Sequence, residues 1–515
     1  MINLPEIDDQ NLDLGYYTHK KQILFAAIAL LITCACWTVS NPVGSTNDEW
    51  FHAGSIWCAN GVNQSSCTET NDPIDVNAYY TGLAPIEDGS CFWNDAAEIS
   101  NCKKPTLGSY PINHKLYPSS YYRIMHTFVT SRPTLSILSM RLFNALLATI
   151  LLSVQLLLTT NKQRLAALTG FVFTLIPMTI FLISSIQPSG WAISGVTNSW
   201  IFLLIALTTK NHNRVFRRWA WLFWITSTLM VFLCRYDAFI FLLASNFVVA
   251  ITTRLAIKRP GWKFSILAAT GISISLFLLA KVNGLVSWIF RFPLNRPAGQ
   301  TQTSTWISHW IIQTIAVPIS ALGTEILGQG LPGQLTVRLP DAVWIIGTAL
   351  LGAAILFSFI KTSATQLVVF CSSYVVLLFT ILGFNGRVMD RDFFNMSGRY
   401  VLPVVPFIVG FCIFASKSPF QLMEIRRLRI IVIALLTMIH FLALHAVVET
   451  FVDGQSHSVE PIHVGSAGWW WSGLPIGPNF VVLLGSLAFF WFLTFAWSTV
   501  ATIQVGVVST NKADS

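Results

Sequence analysis

Charged residues are scarce in this sequence. Asp, Glu, Lys and Arg make up 11% of the 515 residues, whereas hydrophobic residues make up 53%. A soluble globular chain carries about 25% charged residues, and a chain of this size cannot bury such an apolar surplus in one core. The composition excludes an ordinary cytosolic enzyme, a disordered protein and a nucleic-acid-binding domain. It indicates a polytopic membrane protein.

Familiar motifs of soluble enzymes are also missing. There is no P-loop, no zinc-protease motif and no Gly-x-Ser-x-Gly sequence. Residues 328–333 spell G-x-G-x-x-G, but the segment holds Pro332 and is predicted to lie outside the membrane. A dinucleotide fingerprint needs a strand before it and a helix after it, so this segment does not predict nucleotide binding.

Long apolar runs carry the main structural signal, because a membrane span needs about 20 apolar residues. The first run follows Lys20 and Lys21 and lacks a small-residue cleavage motif, so it is interpreted as a span and not as a signal peptide. Segment 304–323 is either an interfacial or re-entrant piece or a thirteenth span. The predicted fold is all-α and polytopic, with about 12 transmembrane helices. The predicted spans are 22–40, 133–159, 165–186, 190–209, 219–234, 238–253, 264–282, 342–360, 363–384, 399–416, 430–449 and 478–500.

The charges predict how these spans are oriented. With the N-terminus inside, the inner segments hold 18 of the 32 basic residues but only 6 of the 23 acidic ones. This bias matches the positive-inside rule, so we expect a multi-pass plasma-membrane protein with both termini in the cytosol. The predicted parts are a cytosolic tail (1–21), a transmembrane module (22–416) with a first outer loop (41–132), and C-terminal helices (417–515) with an outer loop at 450–478 and a short cytosolic tail.

The cysteines separate into two groups. Five lie inside predicted spans, and the other four lie in the first outer loop. Four cysteines in one extracytoplasmic loop predict two disulfides. Three pairings are possible, of which the local one is our prediction, and free or metal-binding thiols are the alternative. The four loop residues are Cys58, Cys67, Cys91 and Cys102.

An acidic pair, Asp48 and Glu49, follows the first span within a few residues. A carboxylate at the membrane surface can take a proton from an attacking hydroxyl, and His52 would face the same site from one helical turn further on. The alternative is a solvated pair at a helix N-terminus, where acids are favoured.

A second candidate cluster lies at the predicted outer end of span ten (399–416). Arg399 offers a planar, permanently charged fork that suits a phosphate, and Gly398 allows close backbone approach. Tyr400 follows, and Arg387 and Arg391 come before. The alternative is an interfacial anchor in which Arg399 snorkels and Tyr400 joins the aromatic belt.

Charged and polar residues also occur inside spans or in very short turns. Arg141 and Asn144 lie within one turn of each other in span two, where an arginine needs a partner. Arg141 either binds a ligand phosphate or pairs with Asp48, Glu49 or Asp237. Arg235 and Asp237 form the tip of a short hairpin and are expected to pair with each other.

Two further segments have open roles. The segment 187–190 is a tight turn that could also line a site, and the Trp469–Trp471 run is either an acceptor contact or an interfacial anchor.

In their order and spacing, several of these segments resemble the domain-of-unknown-function 2142 family of bacterial membrane proteins. That family is in turn similar to the GT-C superfamily of glycosyltransferases, such as the protein O-mannosyltransferases. The resemblance covers about residues 40–415. Its motifs are Asp48-Glu49 with His52, Tyr117-Pro118 through Tyr121-Tyr122, Arg141-Leu142-Phe143-Asn144, Ile176-Pro177-Met178 with Gln187-Pro188, and Gly398-Arg399-Tyr400-Val401-Leu402-Pro403.

The resemblance implies an inverting transferase that moves a sugar from a polyprenyl-phosphate donor to a glycan or glycoconjugate acceptor on the extracytoplasmic face. It implies Asp48 as the base, and Glu49 as the residue that orients the acceptor or helps to hold a divalent cation. It implies phosphate binding by Arg399, with Arg141 or Arg391. The predicted substrate-binding residues are His52, Arg141, Asn144, Arg235, Asp237, Arg387, Arg391, Arg399 and Tyr400.

The chain departs from the family pattern at two positions. Ser189 stands where the family usually has an acid, which weakens any role for that turn. Asn47 separates the acidic pair from the position where the family usually has a proline.

The expected partners are the lipid bilayer, the lipid-linked sugar and the acceptor, and nucleic acid is not expected. Nothing in the sequence requires a cofactor, and the alternative is that the protein uses a divalent cation, magnesium or manganese. Two other functions stay open: a transporter or flippase of a lipid-linked envelope intermediate, and a non-catalytic envelope-assembly scaffold.

The disulfide prediction can be tested by non-reducing peptide mapping of the full chain. We expect one linked peptide pair holding Cys58 with Cys67 and another holding Cys91 with Cys102, because short loops close at the smallest entropic cost. Alkylation of Cys58 or Cys102 before any reduction would contradict this pairing.

Overall fold

The computed structural model describes the chain in separate stretches, and the statements below concern those stretches. They are residues 19–46, 49–60, 67–69, 78–81, 84–85, 107–108, 111–113, 117–175, 177–209, 214–235, 237–256, 337, 339–359, 367, 370–371, 398–416, 426–453, 469–471 and 476–501. The helices with described bounds are α1 (Lys20–Val39), α2 (Glu49–Trp57), α3 (Ser119–His126), α4 (Pro133–Leu158), α5 (Asn161–Val172), α6 (Pro177–Ile183), α7 (Pro188–Thr208), α8 (Arg214–Cys234), α9 (Ala238–Ala256), α10 (Asp341–Ser358), α11 (Val405–Ala415), α12 (Arg426–Asp453) and α13 (Pro478–Ala501).

The helical membrane architecture is confirmed. Within the described stretches, α1, α4, α7, α10, α12 and α13 are each long and apolar enough to cross a membrane, and the α5–α6 pair is a possible seventh span. The total of 12 spans stays a prediction, because the predicted span 264–282 lies outside the described residues, as does most of 363–384. Segment 304–323, whose role was left open, also lies outside them.

Apolar side chains on several of these helices face outward. On α1 and α4 they recur every three or four residues, which places them along one stripe of each helix. Such a stripe suits contact with lipid chains, since a soluble monomer rarely exposes a large apolar patch. The exposed residues include Leu24, Ile28 and Ile32 on α1 and Leu135, Leu142, Leu146 and Ile150 on α4.

The predicted span 165–186 is not a single straight helix. The segment forms two helices, α5 and α6, whose axes differ by 93°. Pro177 begins α6, and a proline disfavours helical backbone in the residue before it. Before that point the Thr174 hydroxyl donates to the Gly170 and Phe171 carbonyl oxygens at 2.6 and 2.9 Å. The break therefore lies where the sequence has a helix-breaking signal.

The predicted span 399–416 also begins later than expected. Gly398–Tyr400 form a 3₁₀ turn, and α11 begins only at Val405. Pro403 lacks the N–H that a helix interior would use, whereas Pro406 lies in the first turn of α11, where a proline is tolerated. Arg399 therefore lies on an irregular segment ahead of the helix.

The first outer loop contains short strands that an all-α prediction did not include. Strands β1 (Cys67–Glu69), β2 (Ala78–Thr81) and β5 (Pro111–Asn113) form an antiparallel sheet in the order β1-β2-β5. Strands β3 (Ala84–Pro85) and β4 (Leu107–Gly108) form a second antiparallel pair. The loop is therefore a small folded unit attached to the helical part.

The bundle is centred on α7, whose side chains are nearly all buried. Helix α7 packs against α8, α9 and α4, while α1 packs against α13 and α4. Helices α5 and α11 approach so closely that only glycines fit between them. A Cβ at Gly410 would lie 2.7 Å from the Ala166 carbonyl oxygen, and one at Gly170 would collide with the Pro406 carbonyl oxygen.

At the N-terminal end of α5, a buried arginine ties three helices together. Arg164 is 2% exposed and donates to the carbonyl oxygens of Leu156 in the last turn of α4, of Thr159 just after it, and of Thr499 on α13. Thr160 and Gln163 complete a reciprocal capping box at the same helix end. One end of the bundle is thus fastened by side-chain bonds to helix-terminal carbonyls.

The close α5–α11 contact predicts that a methyl group added at Gly410 destabilises the protein, whereas one added at an uncrowded glycine does not. Gly410→Ala should lower the free energy of unfolding by about 1–3 kcal/mol because the added methyl group overpacks the α5–α11 contact. Gly352→Ala on α10 is the matched control, since nothing lies within 4 Å of its Cβ position and alanine favours helix. Thermal unfolding in detergent measures both, and equal melting temperatures would refute the packing described above.

Candidate functional site

The end of α1 is held by a remote arginine. Arg141, on α4, is fully buried and its Nη1 donates to the Thr38 carbonyl oxygen at 2.8 Å and to the Asn41 carbonyl oxygen at 3.1 Å. Its Nη2 donates to the Pro42 carbonyl oxygen at 3.0 Å. Carbonyls at a helix C-terminus have no partner within the helix, so Arg141 supplies the missing donors.

The same arginine makes a bidentate ion pair with Glu49. Arg141 Nε and Nη2 donate to the two carboxylate oxygens at 3.0 and 2.6 Å, and both side chains are 0% exposed. A guanidinium has five N–H groups, and the contacts to α1, its following residues and Glu49 occupy all of them. The geometry therefore favours the structural pairing of Arg141 over the predicted binding of a ligand phosphate.

Glu49 also fixes the loop between α1 and α2. Its Oε2 accepts from the backbone N–H of Gly44 at 3.0 Å and of Thr46 at 3.3 Å, and Gly44 has a φ of 83°, which suits glycine. A carboxylate in the first turn of a helix is also favoured by the helix dipole. Both carboxylate oxygens of Glu49 are thus engaged within the protein, which favours a positioning role, and its part in holding a cation or orienting an acceptor stays a prediction.

Asp48 lies outside the described residues, as do Arg387 and Arg391. Its predicted role as a base stays a prediction, but its chain neighbour Glu49 is among the most firmly held side chains of the molecule. The Arg141 contacts therefore fix Glu49, the described member of the acidic pair.

The tryptophan run after α12 reaches the same helix end. Trp471 Nε1 donates to the Val39 carbonyl oxygen at 2.8 Å, and the ring is 6% exposed. Trp469 Nε1 donates to the Ile476 carbonyl oxygen at 2.9 Å. The run thus caps α1 and closes its own loop, which is a structural role that neither sequence-based alternative named.

His52 lies in a group of tyrosines. Its Nδ1 is 3.0 Å from the Tyr122 hydroxyl, and its ring meets that of Tyr117 edge-on at 5.2 Å between centroids. Tyr122 in turn packs edge-on against Tyr121 at 5.7 Å. These contacts connect α2, which begins at Glu49, to α3 and to Tyr117 just before it.

Asn144 ties this group to the turn before α7. Its Nδ2 donates to the Ser185 carbonyl oxygen at 2.6 Å and to the Tyr121 hydroxyl at 3.3 Å, and its Oδ1 accepts from Trp191 Nε1 at 2.8 Å. The Tyr121 hydroxyl donates to the Ile186 carbonyl oxygen at 2.8 Å, and burial raises its pKa, so it stays a donor. Asn144 thus belongs to a buried hydrogen-bond network, and its contact with substrate stays a prediction.

Arg235 and Asp237 pair with each other, as the sequence suggested. Arg235 Nε donates to Asp237 Oδ1 at 2.9 Å, Nη2 contacts the other carboxylate oxygen, and Nη1 donates to Ser189 Oγ at 2.7 Å. Arg235 is 2% exposed, whereas the Asp237 side chain is 22% exposed. Ser189 therefore contacts the Arg235–Asp237 pair, although its departure from the family pattern was expected to weaken any role for this turn.

The Arg399 segment meets this pair through an aromatic ring. The Arg235 guanidinium lies over the Tyr400 ring at 4.7 Å from the centroid, and the Arg399 guanidinium lies 5.1 Å from the same centroid. Arg399 Nη2 also donates to the Tyr400 hydroxyl at 3.3 Å. Asp237 balances the charge of Arg235, and Arg399 brings a further positive charge to this position.

The predicted residues thus fall into two sets. Glu49, Arg141 and Asn144 form the buried support, whereas His52, Arg235, Asp237, Arg399 and Tyr400 lie along one connected cluster. Ser189, Tyr117 and Trp471 were named in the sequence only as parts of a tight turn, a family motif and a tryptophan run, and were not among the predicted site residues.

Of the four cysteines in the first loop, only Cys58 has a described side chain. Cys58, directly after α2, is buried and disulfide-bonded, but the pairing of the four cysteines stays a prediction because the other three side chains are outside the described part.

Among the described residues, no three His, Cys, Asp or Glu side chains are grouped as metal ligands.

The Arg141 contacts predict that charge alone is not sufficient at this position. Arg141→Lys should destabilise the protein nearly as much as Arg141→Met, by about 3–5 kcal/mol, because an ammonium group cannot bridge Glu49 and three carbonyls and an unpaired partner is left buried. Thermal unfolding in detergent measures this. A lysine variant as stable as the wild type would contradict the bridging role.

Comparison with known proteins gives one match. A family model described as "Predicted membrane protein (DUF2142)" matches residues 31–408. No curated protein and no solved structure matches the chain. The matched region extends from α1 to α11 and includes every described residue of the cluster. The chain belongs to the DUF2142 family of predicted membrane proteins.

Proposed function

We propose that this protein is a membrane glycosyltransferase that moves a sugar from a polyprenyl-phosphate donor to a cell-envelope acceptor on the extracytoplasmic face. One observation carries the proposal. Side chains at several helix ends are linked by contacts. On one side, His52 of α2 contacts Tyr122, which packs on Tyr121, and the Tyr121 hydroxyl donates to the Ile186 carbonyl oxygen in the turn before α7. On the other side, Arg235 of the α8–α9 turn donates to Ser189 at the start of α7 and lies over the ring of Tyr400, in the segment before α11. A reaction between two large substrates needs such converging groups at an accessible end of a membrane bundle.

Arg399 is the proposed donor-phosphate ligand. It is partly exposed, it lies on an irregular segment ahead of α11, and its guanidinium neighbours a second one across the Tyr400 ring. Positive groups placed beforehand where charge develops stabilise the departing phosphate. A planar guanidinium fork also matches phosphate geometry better than an ammonium group does.

Asp48 is the proposed base. In the proposed step an acceptor oxygen attacks the anomeric carbon, the bond from that carbon to the phosphate oxygen breaks, and the phosphate leaves with the electron pair. Asp48 takes the proton of the acceptor hydroxyl. Glu49 has no chemical part in this step, because Arg141 and two backbone N–H groups occupy its carboxylate. Its part is to fix the backbone next to Asp48.

Substitutions at Asp48 and Glu49 are therefore expected to have different effects, the first on transfer activity and the second on stability. Asp48→Asn should reduce transfer by about 10²–10⁴-fold while leaving the melting temperature unchanged, because only a proton acceptor is removed. Glu49→Gln should instead lower the melting temperature, because it weakens the buried pair with Arg141. Single-turnover transfer from a radiolabelled polyprenyl-phosphate sugar in nanodiscs, together with thermal unfolding, measures both. Full transfer by Asp48→Asn would reject it as the base.

Arg399 offers a separate test of the donor site. Arg399→Ala should weaken binding of the polyprenyl phosphate by about tenfold or more, and Arg399→Lys should restore only part of the affinity, because charge returns without the fork. Equilibrium binding of a fluorescent polyprenyl phosphate in nanodiscs measures this. Unchanged affinity in the alanine variant would remove the phosphate role.

A further inference from the structure

Arg235 is a cation that the protein uses internally. Its side chain is 2% exposed, its Nε and Nη2 donate to Asp237, and its Nη1 donates to the Ser189 hydroxyl at 2.7 Å. A guanidinium taken out of water needs such partners, because an unpaired buried charge is strongly destabilising. Burial and these bonds commit Arg235 to contacts within the protein, whereas the side chain of Arg399 is partly exposed.

The Tyr400 ring connects this internal cation to Arg399. The Arg235 guanidinium lies 4.7 Å from the centroid of the ring, and the Arg399 guanidinium lies 5.1 Å from the same centroid. Arg399 Nη2 also donates to the Tyr400 hydroxyl at 3.3 Å. The face of an aromatic ring attracts a cation, so a displacement of this ring would also displace the guanidinium of Arg399.

Asp237 allows two cations to share one ring. Two guanidiniums near the same ring repel each other unless one of them is neutralised. Both carboxylate oxygens of Asp237 accept from Arg235, and such a bidentate contact fixes the plane of the guanidinium as well as balancing its charge. The pair therefore supports the Tyr400 ring without adding net positive charge beside Arg399.

Ser189 ties the pair to the centre of the bundle. It lies in the first turn of α7, is 5% exposed, and makes a hydrogen bond to a charged group, which is stronger than one between neutral groups. The backbone beside it is tightly packed, since a Cβ at Gly190 would lie 2.5 Å from the Leu182 carbonyl oxygen. A continuous series of contacts thus leads from the central helix, through Arg235 and the shared ring, to Arg399.

We propose that Ser189 and Asp237 are positioning residues for Arg399. They act through the Arg235 guanidinium and the Tyr400 ring, which together set the direction in which the Arg399 side chain meets the lipid phosphate. The inference rests on the proposed function, in which Arg399 is the donor-phosphate ligand. It gives the buried pair an indirect part in donor binding, without contact between the pair and the phosphate.

Removal of the Asp237 charge distinguishes positioning from a direct electrostatic effect. Asp237→Asn removes a negative charge, so electrostatics acting through space would tighten the binding of an anion. Loss of positioning should instead weaken it about tenfold, because the Arg235 plane is no longer fixed. Equilibrium binding of a fluorescent polyprenyl phosphate to the full chain in nanodiscs measures the sign. Unchanged or tighter binding would overturn the inference.

A milder variant keeps the test decisive if Asp237→Asn does not fold. Ser189→Ala removes one hydrogen bond to Arg235 and leaves every charge in place, and it should weaken phosphate binding about three- to tenfold. Ser199→Ala is the matched control, because Ser199 is also buried and donates to Asn246 at 3.1 Å, about 15 Å further along α7. Equal affinities of these two serine variants would overturn the positioning role.

A double-mutant cycle separates positioning from a general loss of structure. If Ser189 acts through Arg399, then Ser189→Ala should cause no further loss of affinity once Arg399→Ala is present. A structural effect that does not pass through Arg399 would lower the affinity by the same factor in both backgrounds. That additive result would overturn the inference, and so would failure of the wild type to bind the polyprenyl phosphate.

The same variants separate the inference from the proposed activity. Transfer by the wild type, together with additive effects of Ser189→Ala and Arg399→Ala on binding, would support the transferase and reject the positioning role. Coupled effects of the two substitutions on binding, without any transfer of sugar by the wild type, would support the positioning role and reject the transferase.

Discussion

The buried pair between Arg141 and Glu49 is the contact on which the rest of the site depends. Two charges taken out of water are costly unless every donor and acceptor finds a partner, and here one guanidinium meets a carboxylate and three backbone carbonyls. The contact joins the end of α1, the following loop, the start of α2 and the middle of α4. None of these parts can move far without leaving a buried charge unpaired.

From this support the site extends through irregular segments at helix ends. His52 connects α2 to the tyrosines around α3, and Asn144 connects α3 to the turn before α7. Arg235 then connects that turn, through Ser189, to the ring of Tyr400. Backbone that departs from helix is tolerated in a membrane protein where it is buried in protein or lines a polar cavity, so this concentration of turns agrees with a binding site.

Much of the fold could be predicted because apolar runs determine spans. The runs around α1, α4, α7, α12 and α13 were located to within a few residues, and the Arg235–Asp237 pair followed from its short turn. The partner of Arg141 could not be chosen, since Glu49 lies 92 residues away and two other acids were equally available. The role of Trp471 could not be predicted either, because its acceptor, the Val39 carbonyl oxygen, belongs to a helix end 432 residues earlier.

The proposed function places the lipid phosphate at the cluster of Arg235, Arg399 and Tyr400. Photo-crosslinking tests this placement most directly, with a polyprenyl phosphate that carries a diazirine next to the phosphate, on the wild-type chain in nanodiscs. We expect labelled peptides from the Arg399–Tyr400 segment and from the Tyr117 region, with competition by unlabelled carrier. Labelling concentrated at the opposite end of the bundle, around Arg164, would contradict it and would favour a translocation pathway.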